Sequence, residues 1–281
     1  MYKLIADSGS TKTDWVLIDQ LGKIETQLHT IGFNPYFHSE EFISEKISRE
    51  FSELAIDIAQ IKEVFYYGAG CSSKDKKLII KKALEANFAA ASVEVNHDLI
   101  AAARATLGNK DGISCILGTG ANSCLWKQGK EIENISSHGY IFGDEGSGSY
   151  LGIRLLKLYL SDNLEPNLKQ QFDSEFNLTK EEILNKTYQE KNPNVFLANF
   201  AKFYFKNVKN ETLKNIIRQG FVDFFEVRVI AYPDYKNYEL GFVGSIAFYY
   251  REILAKVAEE FEMKIYKITK APIDELVAFH S

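Results

Sequence analysis

The residues most suited to chemistry lie near the start of the chain, where an aspartate, a glycine and several hydroxyl side chains occupy positions 7–13. A short apolar stretch (4–6) precedes them and another (15–18) follows, which predicts a β-hairpin with an accessible tip. Backbone N–H groups and hydroxyls at such a tip suit a phosphate, and the carboxylate of Asp7 suits a metal ion. These residues alone leave open an ordinary hairpin turn with a solvated aspartate.

A second stretch of the same kind lies at 113–126, where an apolar run, a small polar turn and a return run follow one another. Shifting the first hairpin by 111 residues places Gly9 on Gly120 and Trp15 on Trp126 without a gap. A repeated unit with a small-residue turn in each half predicts two similar domains that face a common ligand.

Two further small-residue segments, 143–149 and 244–245, stand at the ends of predicted elements, and Asp98 directly follows a predicted strand. The chain contains no GxxxxGK[ST] motif, which argues against a P-loop NTPase. It contains no strand–GxGxxG–helix unit either, which argues against a Rossmann dehydrogenase.

The elements that must position these turns alternate in type. Strands at 24–30, 64–68 and 93–96 are separated by amphipathic helices, and the predicted helix at 74–88 is one of them. After the second hairpin a helix is predicted at 150–160, mostly helical sequence at 162–230, and a strand, a helix, a strand and a short helix to the end. This order predicts an α/β fold with mixed sheets.

Composition narrows the classes of function. The 281 residues carry a formal charge of −5 and are 46% hydrophobic, as in an ordinary globular protein. The acidic balance argues against a general nucleic-acid binder or a binder of anionic membranes. An odd number of cysteines, Cys71, Cys115 and Cys124, without a CxxC motif predicts reduced thiols in a cytoplasmic protein. No secretory signal or membrane-length apolar run is visible.

Taken in order, the turns resemble those of the BadF/BadG/BcrA/BcrD-type ATPase family, and within it the N-acetylglucosamine kinases of the actin-like sugar kinase superfamily. The segments that carry the resemblance are 7–14, 118–120, 143–147 and 244–245. The resemblance implies two actin-like (ribonuclease H-like) domains with mixed sheets and a central nucleotide cleft. Residues 1–110 would hold the sugar, the first phosphate loop and the catalytic aspartate. Residues 111–281 would form the nucleotide side with a helical insertion, and the last helix could return to the N-terminal domain.

The resemblance also assigns roles toward ATP and Mg²⁺. Asp7 would orient Mg²⁺. The residues that would bind nucleotide are Gly9, Ser10, Thr11, Lys12 and Thr13 in the first loop, Gly118, Thr119 and Gly120 in the second, and Gly244 and Ser245 on the adenosine side. Two alternatives stay open here, because Lys12 at a hairpin tip could be a solvated charge and Gly244 could serve close packing of a helix on a strand.

On the sugar side, Asp98 matches the family's catalytic carboxylate and would accept the proton of the attacking hydroxyl. Its alternative is an N-cap of the following helix. Asn34 and Asp144 resemble ligands of sugar hydroxyls, with Gly139 and Tyr140 beside them, although Asn34 could instead be a turn residue before a proline.

The resemblance implies a kinase that phosphorylates the 6-hydroxyl of an amino sugar such as N-acetylglucosamine. At the position of His138 the animal enzymes have a tryptophan, so the sequence does not choose between N-acetylglucosamine, glucosamine and N-acetylmuramic acid. Alternatives are an ATP-hydrolysing activator of a 2-hydroxyacyl-CoA dehydratase or benzoyl-CoA reductase, and a non-catalytic sugar or nucleotide sensor. A homodimer is common among such kinases.

Overall fold

A computed structural model describes residues 1–9, 11–53 and 56–281 of the chain. The chain divides into two compact units, and the C-terminal segment returns to the first of them. Unit 1 comprises Met1–Asn109 and Ala271–Ser281, and unit 2 comprises Lys110–Lys270. Among the described residues, no helix is both long enough and apolar enough to cross a lipid bilayer.

Unit 1 is built on a five-stranded mixed sheet in the order β3-β2-β1-β4-β5. Strands β1, β2 and β3 pair antiparallel, whereas β1, β4 and β5 pair parallel. Its elements are β1 (Tyr2–Ser8), β2 (Lys12–Asp19), β3 (Ile24–Ile31), α1 (Glu40–Ser52), a 3₁₀ turn (Ile58–Gln60), β4 (Ile61–Gly68), α2 (Lys74–Asn87), β5 (Ser92–His97), α3 (Asp98–Thr106) and the C-terminal helix α13 (Ile273–His280).

Both faces of this sheet are buried, because successive strand residues point to opposite sides. Leu4, Ala6 and Trp15 face a core that includes residues of α1 and α2. Ile5 and Val16 face a second core, to which α3 and α13 contribute Ala101, Ala105, Leu276 and Val277.

Unit 2 repeats this topology, with the sheet order β8-β7-β6-β9-β10. Its strands are β6 (Gly112–Leu117), β7 (Ala121–Lys127), β8 (Lys130–Ile135), β9 (Glu239–Val243) and β10 (Ile265–Thr269). Its helices are α4 (Gly139–Phe142), α5 (Gly148–Leu160), α6 (Pro166–Phe176), α7 (Lys180–Tyr188), α8 (Pro193–Asn199), α9 (Ala201–Lys206), α10 (Glu211–Phe224), a π-helical turn (Phe225–Val229), a 3₁₀ turn (Tyr235–Asn237), α11 (Ser245–Tyr249) and α12 (Arg251–Glu260).

The predicted α/β class with two mixed sheets is therefore confirmed. The repeat itself is real, but the ungapped offset of 111 residues was wrong. Ser8 pairs with Thr13 in the first hairpin and Leu117 pairs with Ala121 in the second, so equivalent positions are 109 residues apart in the first strands and 108 in the second. Three local features differ from the prediction: β8 and the short α4 were not predicted, and the single helix expected between the last two strands is interrupted at Tyr250.

Candidate functional site

In unit 1, the carboxyl ends of three parallel strands bring the first group of candidate residues to one edge of the sheet. Ser8 of β1 pairs with Gly68 of β4, which pairs with His97 of β5. Asp98 is the residue after His97, so it lies at the same edge as Asp7. Ligands commonly bind at this edge of open α/β sheets.

Asp7 is the most perturbed carboxyl of this group. Burial, the largest cause, raises its pKa from 3.8 to about 7. The negative charges of Asp14 and Asp98 raise the pKa further, and only the charge of Lys12 lowers it. A half-buried carboxyl among like charges is the environment in which a bound cation is favourable.

The ammonium of Lys12 pairs with the carboxylate of Asp14, which lies on β2 opposite Asp7. Its Nζ lies 2.9 Å from Asp14 Oδ2, while the Lys12 side chain itself is mostly exposed. His29 Nδ1 on the neighbouring strand lies 2.6 Å from Asp14 Oδ1. Asp14 was assigned no role from the sequence. It orients the ammonium of Lys12, for which the alternative prediction was a purely solvated charge.

Some hydroxyl side chains near the turn are buried and support it from inside, whereas others are exposed. Ser8 Oγ and Thr13 Oγ1 are 2.8 Å apart, and Thr13 Oγ1 donates to the carbonyl of Ile31 at 2.9 Å. Thr13 is fully buried, so its hydroxyl supports the turn from within, and its contact with phosphate stays a prediction.

Gly9 and Thr11 are exposed at the turn itself, where Gly9 N donates to the carbonyl of Lys12 at 2.9 Å. Ser10, also predicted as a phosphate ligand, lies outside the described residues.

Asn34 follows β3 and forms the turn that was its alternative role. Its Oδ1 accepts from the backbone N–H of Tyr36 at 3.0 Å, and its carbonyl accepts from the N–H groups of Phe37 and His38. Gly70 is required beside it, because a Cβ there would lie 2.5 Å from Asn34 Oδ1. This turn holds Asn34, partly exposed, next to the end of β4.

Asp98 is the first residue of α3 rather than its cap. The N-cap position is His97, and Asp98 Oδ1 accepts from the backbone N–H of Leu99 at 3.0 Å. Its carboxylate therefore lies at the N-terminal end of α3, where the helix dipole is positive. The carboxylate is partly exposed at the sheet edge.

In unit 2, the second group is assembled around the turn between β6 and β7. The carbonyls of Gly118 and Thr119 accept from the backbone N–H groups of Gly148 and Ser149 at the start of α5, at 2.8 and 3.0 Å. Gly118 has open space where a Cβ would be, so a ligand can approach its backbone closely.

Asp144 ties this turn to the segment before α5. Its Oδ1 accepts from the N–H of Ala121 at 3.1 Å and from Ser137 Oγ at 2.5 Å. A Cβ on Gly120 would lie 3.0 Å from Asp144 Oδ2. Asp144 is 8% exposed and its φ is +56°, an unusual backbone conformation for a non-glycine residue. In this structure Asp144 joins two loops, and a contact with sugar stays a prediction.

Gly244 ends β9 against the same turn. Its φ is +128°, and a Cβ there would lie 2.2 Å from the carbonyl oxygen of Leu117. No side chain fits at this position. This agrees with the alternative prediction for Gly244, that it allows close packing of neighbouring elements. Ser245 opens α11 beside it.

Gly139 and Tyr140 lie in α4, on the segment that joins β8 to α5. Gly139 N donates to Ser137 Oγ at 3.2 Å, and its φ of +76° suits glycine. Tyr140 lines a cavity of about 480 Å³ with Tyr150 and Arg154. His138 precedes them and is exposed.

Comparison with known proteins decides the family. Residues 6–218 match the model of the BadF/BadG/BcrA/BcrD ATPase family. The chain belongs to this family. No curated protein sequence matches the chain.

Solved structures agree with this BadF/BadG-type assignment. A protein from Porphyromonas gingivalis, provisionally named an N-acetylglucosamine kinase, is 35% identical with a TM-score of 0.93, over 99% of this chain and 98% of that one. A protein from Chromobacterium violaceum with the same provisional name is 15% identical with a TM-score of 0.76, over 100% and 99%. A ROK family glucokinase from Streptomyces griseus, in complex with glucose and AMPPNP, is 14% identical with a TM-score of 0.59, over 99% and 98%.

Members of an ATPase family act on metal-bound nucleotide, and the residues of unit 1 fit a divalent cation. Among the described residues no three His, Cys, Asp or Glu side chains converge as a metal site. Asp7 with its raised pKa would instead be a single protein ligand, which suits Mg²⁺ because this ion usually keeps several waters and phosphate oxygens.

One further residue of this BadF/BadG-type chain, the buried Arg228 of the π-helical turn, was not among the residues predicted from the sequence. It is 1% exposed and pairs with Glu145, the neighbour of Asp144. An arginine between Val227 and Val229, in a stretch (224–230) whose only other charge is Glu226, was the available signal, because unpaired charges are rarely buried.

Proposed function

We propose that the protein is an ATP-dependent sugar kinase that phosphorylates the 6-hydroxyl of an amino sugar such as N-acetylglucosamine. The observation that carries the proposal is the 35% identity, over almost the whole chain, with the P. gingivalis protein of that provisional name. Membership of an ATPase family supports ATP as the phosphate donor.

In this proposal Asp98 is the general base. It accepts the proton of the sugar hydroxyl as that oxygen attacks the γ-phosphate, and it lies at the start of α3. Asp7 holds Mg²⁺, which neutralises charge on the phosphates when it is bound. Lys12, oriented by Asp14, adds a positive charge beside the turn. Phosphoryl transfer needs mainly positioning and charge neutralisation, so this small set of groups is sufficient.

The remaining predicted contacts are part of the proposal. Thr11, Thr119 and Gly120 would offer backbone N–H groups or hydroxyls to phosphate. Gly9 and Gly118, whose own N–H groups donate to the carbonyls of Lys12 and Gly120, would let the phosphate approach the backbone closely. Gly244 and Ser245 would lie on the adenosine side. Asn34, Gly139, Tyr140 and Asp144 are the proposed sugar side. A homodimer and a cytoplasmic location stay predictions.

A coupled ADP-release assay over a panel of sugars tests the function. The panel is N-acetylglucosamine, glucosamine, N-acetylmuramic acid and glucose, with Mg-ATP. We expect an amino sugar to give the highest kcat/KM, and ³¹P–¹H correlation spectra of the product to show phosphate on the 6-oxygen. Absence of sugar-dependent ADP release with every member of the panel would contradict the proposal.

The Asp98→Asn variant tests the assigned base. We expect sugar phosphorylation to fall by about 10²–10⁴-fold, because the amide cannot accept the proton. ATP affinity should stay within about twofold, since Asp98 is assigned no phosphate contact. The matched control is Asp75→Asn, which changes an exposed carboxylate in the first turn of α2. Phosphorylation by Asp98→Asn at close to the wild-type rate would refute the role of Asp98.

The dehydratase-activator alternative is not favoured. Such activators carry an iron–sulfur cluster between subunits on cysteines, whereas Cys71, Cys115 and Cys124 are all buried. Burial raises the pKa of the Cys71 thiol to about 12, which disfavours the thiolate that binds iron. Anaerobically purified protein with cluster absorbance would reverse this preference.

A further inference from the structure

The segment from Ile135 to Glu145 joins β8 to the start of α5, and little packing holds its middle in place. Ile141 and Phe142 at its tip are 65% and 80% exposed. Behind the tip, Tyr140 borders the cavity of about 480 Å³ on one side and is only partly packed against the core of unit 2. The position of α4 is therefore set mainly by how the two ends of the segment are fixed.

One side chain, that of Arg228, contacts both ends. Its Nε and Nη2 donate to Glu145 Oε2 at 3.2 and 3.1 Å. Its Nη1 donates to the carbonyl of Ile135 at 3.0 Å and also to the carbonyl of Ser136. A planar guanidinium presents donors in several fixed directions at once, and the compact ammonium of a lysine does not.

The surroundings of Arg228 hold its backbone in place and leave room for the guanidinium. Ser123 Oγ on β7 donates to the carbonyl of Arg228 at 3.1 Å and lies 2.9 Å from the hydroxyl of Tyr232. That same hydroxyl accepts from the N–H of Ile135 at 3.1 Å. At Gly143 a Cβ would lie 2.8 Å from Nη2, so the segment has no side chain where the guanidinium passes.

The backbone of Arg228 is a π-helical turn, Phe225–Val229, which continues α10. Such turns are rare and are found frequently at functional sites.

We propose that Arg228 is a positioning residue for the segment 135–145, and through it for Gly139, Tyr140 and Asp144. This inference rests on the proposed function, in which these residues face the sugar. Arg228 does not touch the substrate itself. By joining the first two residues of the segment to Glu145, it holds α4 in place and keeps Asp144 within reach of Ser137 and Ala121.

Kinetics of Arg228→Lys provide the first test. The lysine keeps the positive charge opposite Glu145 but cannot reach both ends of the segment. We expect the KM for sugar to rise by about tenfold, because small displacements of positioning groups are costly. The KM for ATP should change by less than about threefold, since the bonds of Gly118 and Thr119 to α5 do not involve Arg228. Arg218→Met, which removes the exposed ion pair with Glu260, is the matched control and should behave as wild type.

Limited chymotrypsin digestion is a second readout that does not depend on catalysis. Cleavage at the exposed Phe142 requires the segment to open locally, and Arg228 resists that opening. We expect Arg228→Lys to be cut there about fivefold faster than wild type or Arg218→Met, with two fragments identified by mass spectrometry.

The two tests separate failure of this inference from failure of the proposed function. If no sugar is phosphorylated by wild type, the function is wrong, and the digestion still decides the role of Arg228. An Arg228→Lys protein with wild-type sugar KM and wild-type cleavage at Phe142 overturns the inference. If that variant is digested throughout, Glu145→Gln replaces it, because it weakens only the bonds at one end. Wild-type cleavage and sugar KM in Glu145→Gln would then also overturn it.

Discussion

At the scale of single residues, the carboxyl of Asp7 is strongly perturbed by burial. Its pKa of about 7 means that the folded chain holds this proton more tightly than the unfolded chain does, where the pKa is 3.8. Ionised Asp7 therefore costs stability. The cost is small below pH 4, grows as the pH rises toward 7, and is constant above that. This cost is the kind that a bound cation would offset.

Replacing Asp7 by asparagine removes the buried charge. We expect Asp7→Asn to be more stable than wild type at pH 8 by on the order of 2–4 kcal/mol, with the difference almost gone near pH 4. Thermal melts of the nucleotide-free protein across this range measure the effect. Asp75→Asn, on an exposed carboxylate, should show no gain at pH 8. Equal stability of Asp7→Asn and wild type at pH 8 would contradict the buried-charge explanation.

At the scale of elements, helix α5 connects the turn between β6 and β7 to the core of unit 2. Ser147 caps it by accepting from the N–H of Tyr150 at 3.2 Å, and its first N–H groups bond the turn at Gly118 and Thr119. The helix packs closely on α8 at Gly152, where a Cβ would lie 1.9 Å from the carbonyl oxygen of Leu197. The position of the β6–β7 turn therefore depends on the close backbone contact at Gly152 of α5.

Gly152→Ala tests this packing. Alanine is the better helix former by about 1 kcal/mol, but the clash with backbone outweighs that gain. We expect a net loss of about 1–3 kcal/mol in the free energy of unfolding, measured by urea denaturation. Lys157→Ala, at an exposed position of the same helix, should change it by less than about 0.5 kcal/mol. A neutral or stabilising Gly152→Ala would show that the two helices separate easily.

At the scale of the whole molecule, the chain builds the same five-stranded topology twice and then returns to the first unit. Helix α13 supplies Leu276 and Val277 to the core that faces Ile5 and Val16. His280 at its end stacks on Phe65 with ring centroids 3.8 Å apart and lies 2.7 Å from the hydroxyl of Tyr67. Unit 1 is therefore completed by the last residues of the sequence.

The Leu276→Ala substitution measures how much α13 contributes. Leu276 is fully buried, so we expect a loss of about 2–5 kcal/mol in the free energy of unfolding. Ala278→Ser, at an exposed position of the same helix, is the control and should be nearly neutral. If urea denaturation gives the two variants equal stability, the core beneath α13 is not tightly packed.

The sequence alone determined the fold class and the turns at the strand ends. Apolar periodicity is a local property, so all five strands of unit 1 were predicted, β3 and β5 to within one residue and the others to within three, and the helix predicted at 74–88 ends one residue earlier. Small residues after apolar runs are equally local, and the order of these turns sufficed to place the chain in its ATPase family. The parallel pairing of β1, β4 and β5 then follows from the alternation of strand and helix.

Only the tertiary structure decided how the side chains at those turns are used. Thr13 is turned inward, Asp144 bonds Ala121 across 23 residues of sequence, and Arg228 reaches Glu145 across 83. The offset of the repeat also required the strand register, because a match of a glycine and a tryptophan does not fix which residues pair. These features depend on contacts between distant segments, and local patterns of polarity carry no information about such contacts. Burial of a charge depends on the partner that folding brings to it, which is why Arg228 was found only in the structure.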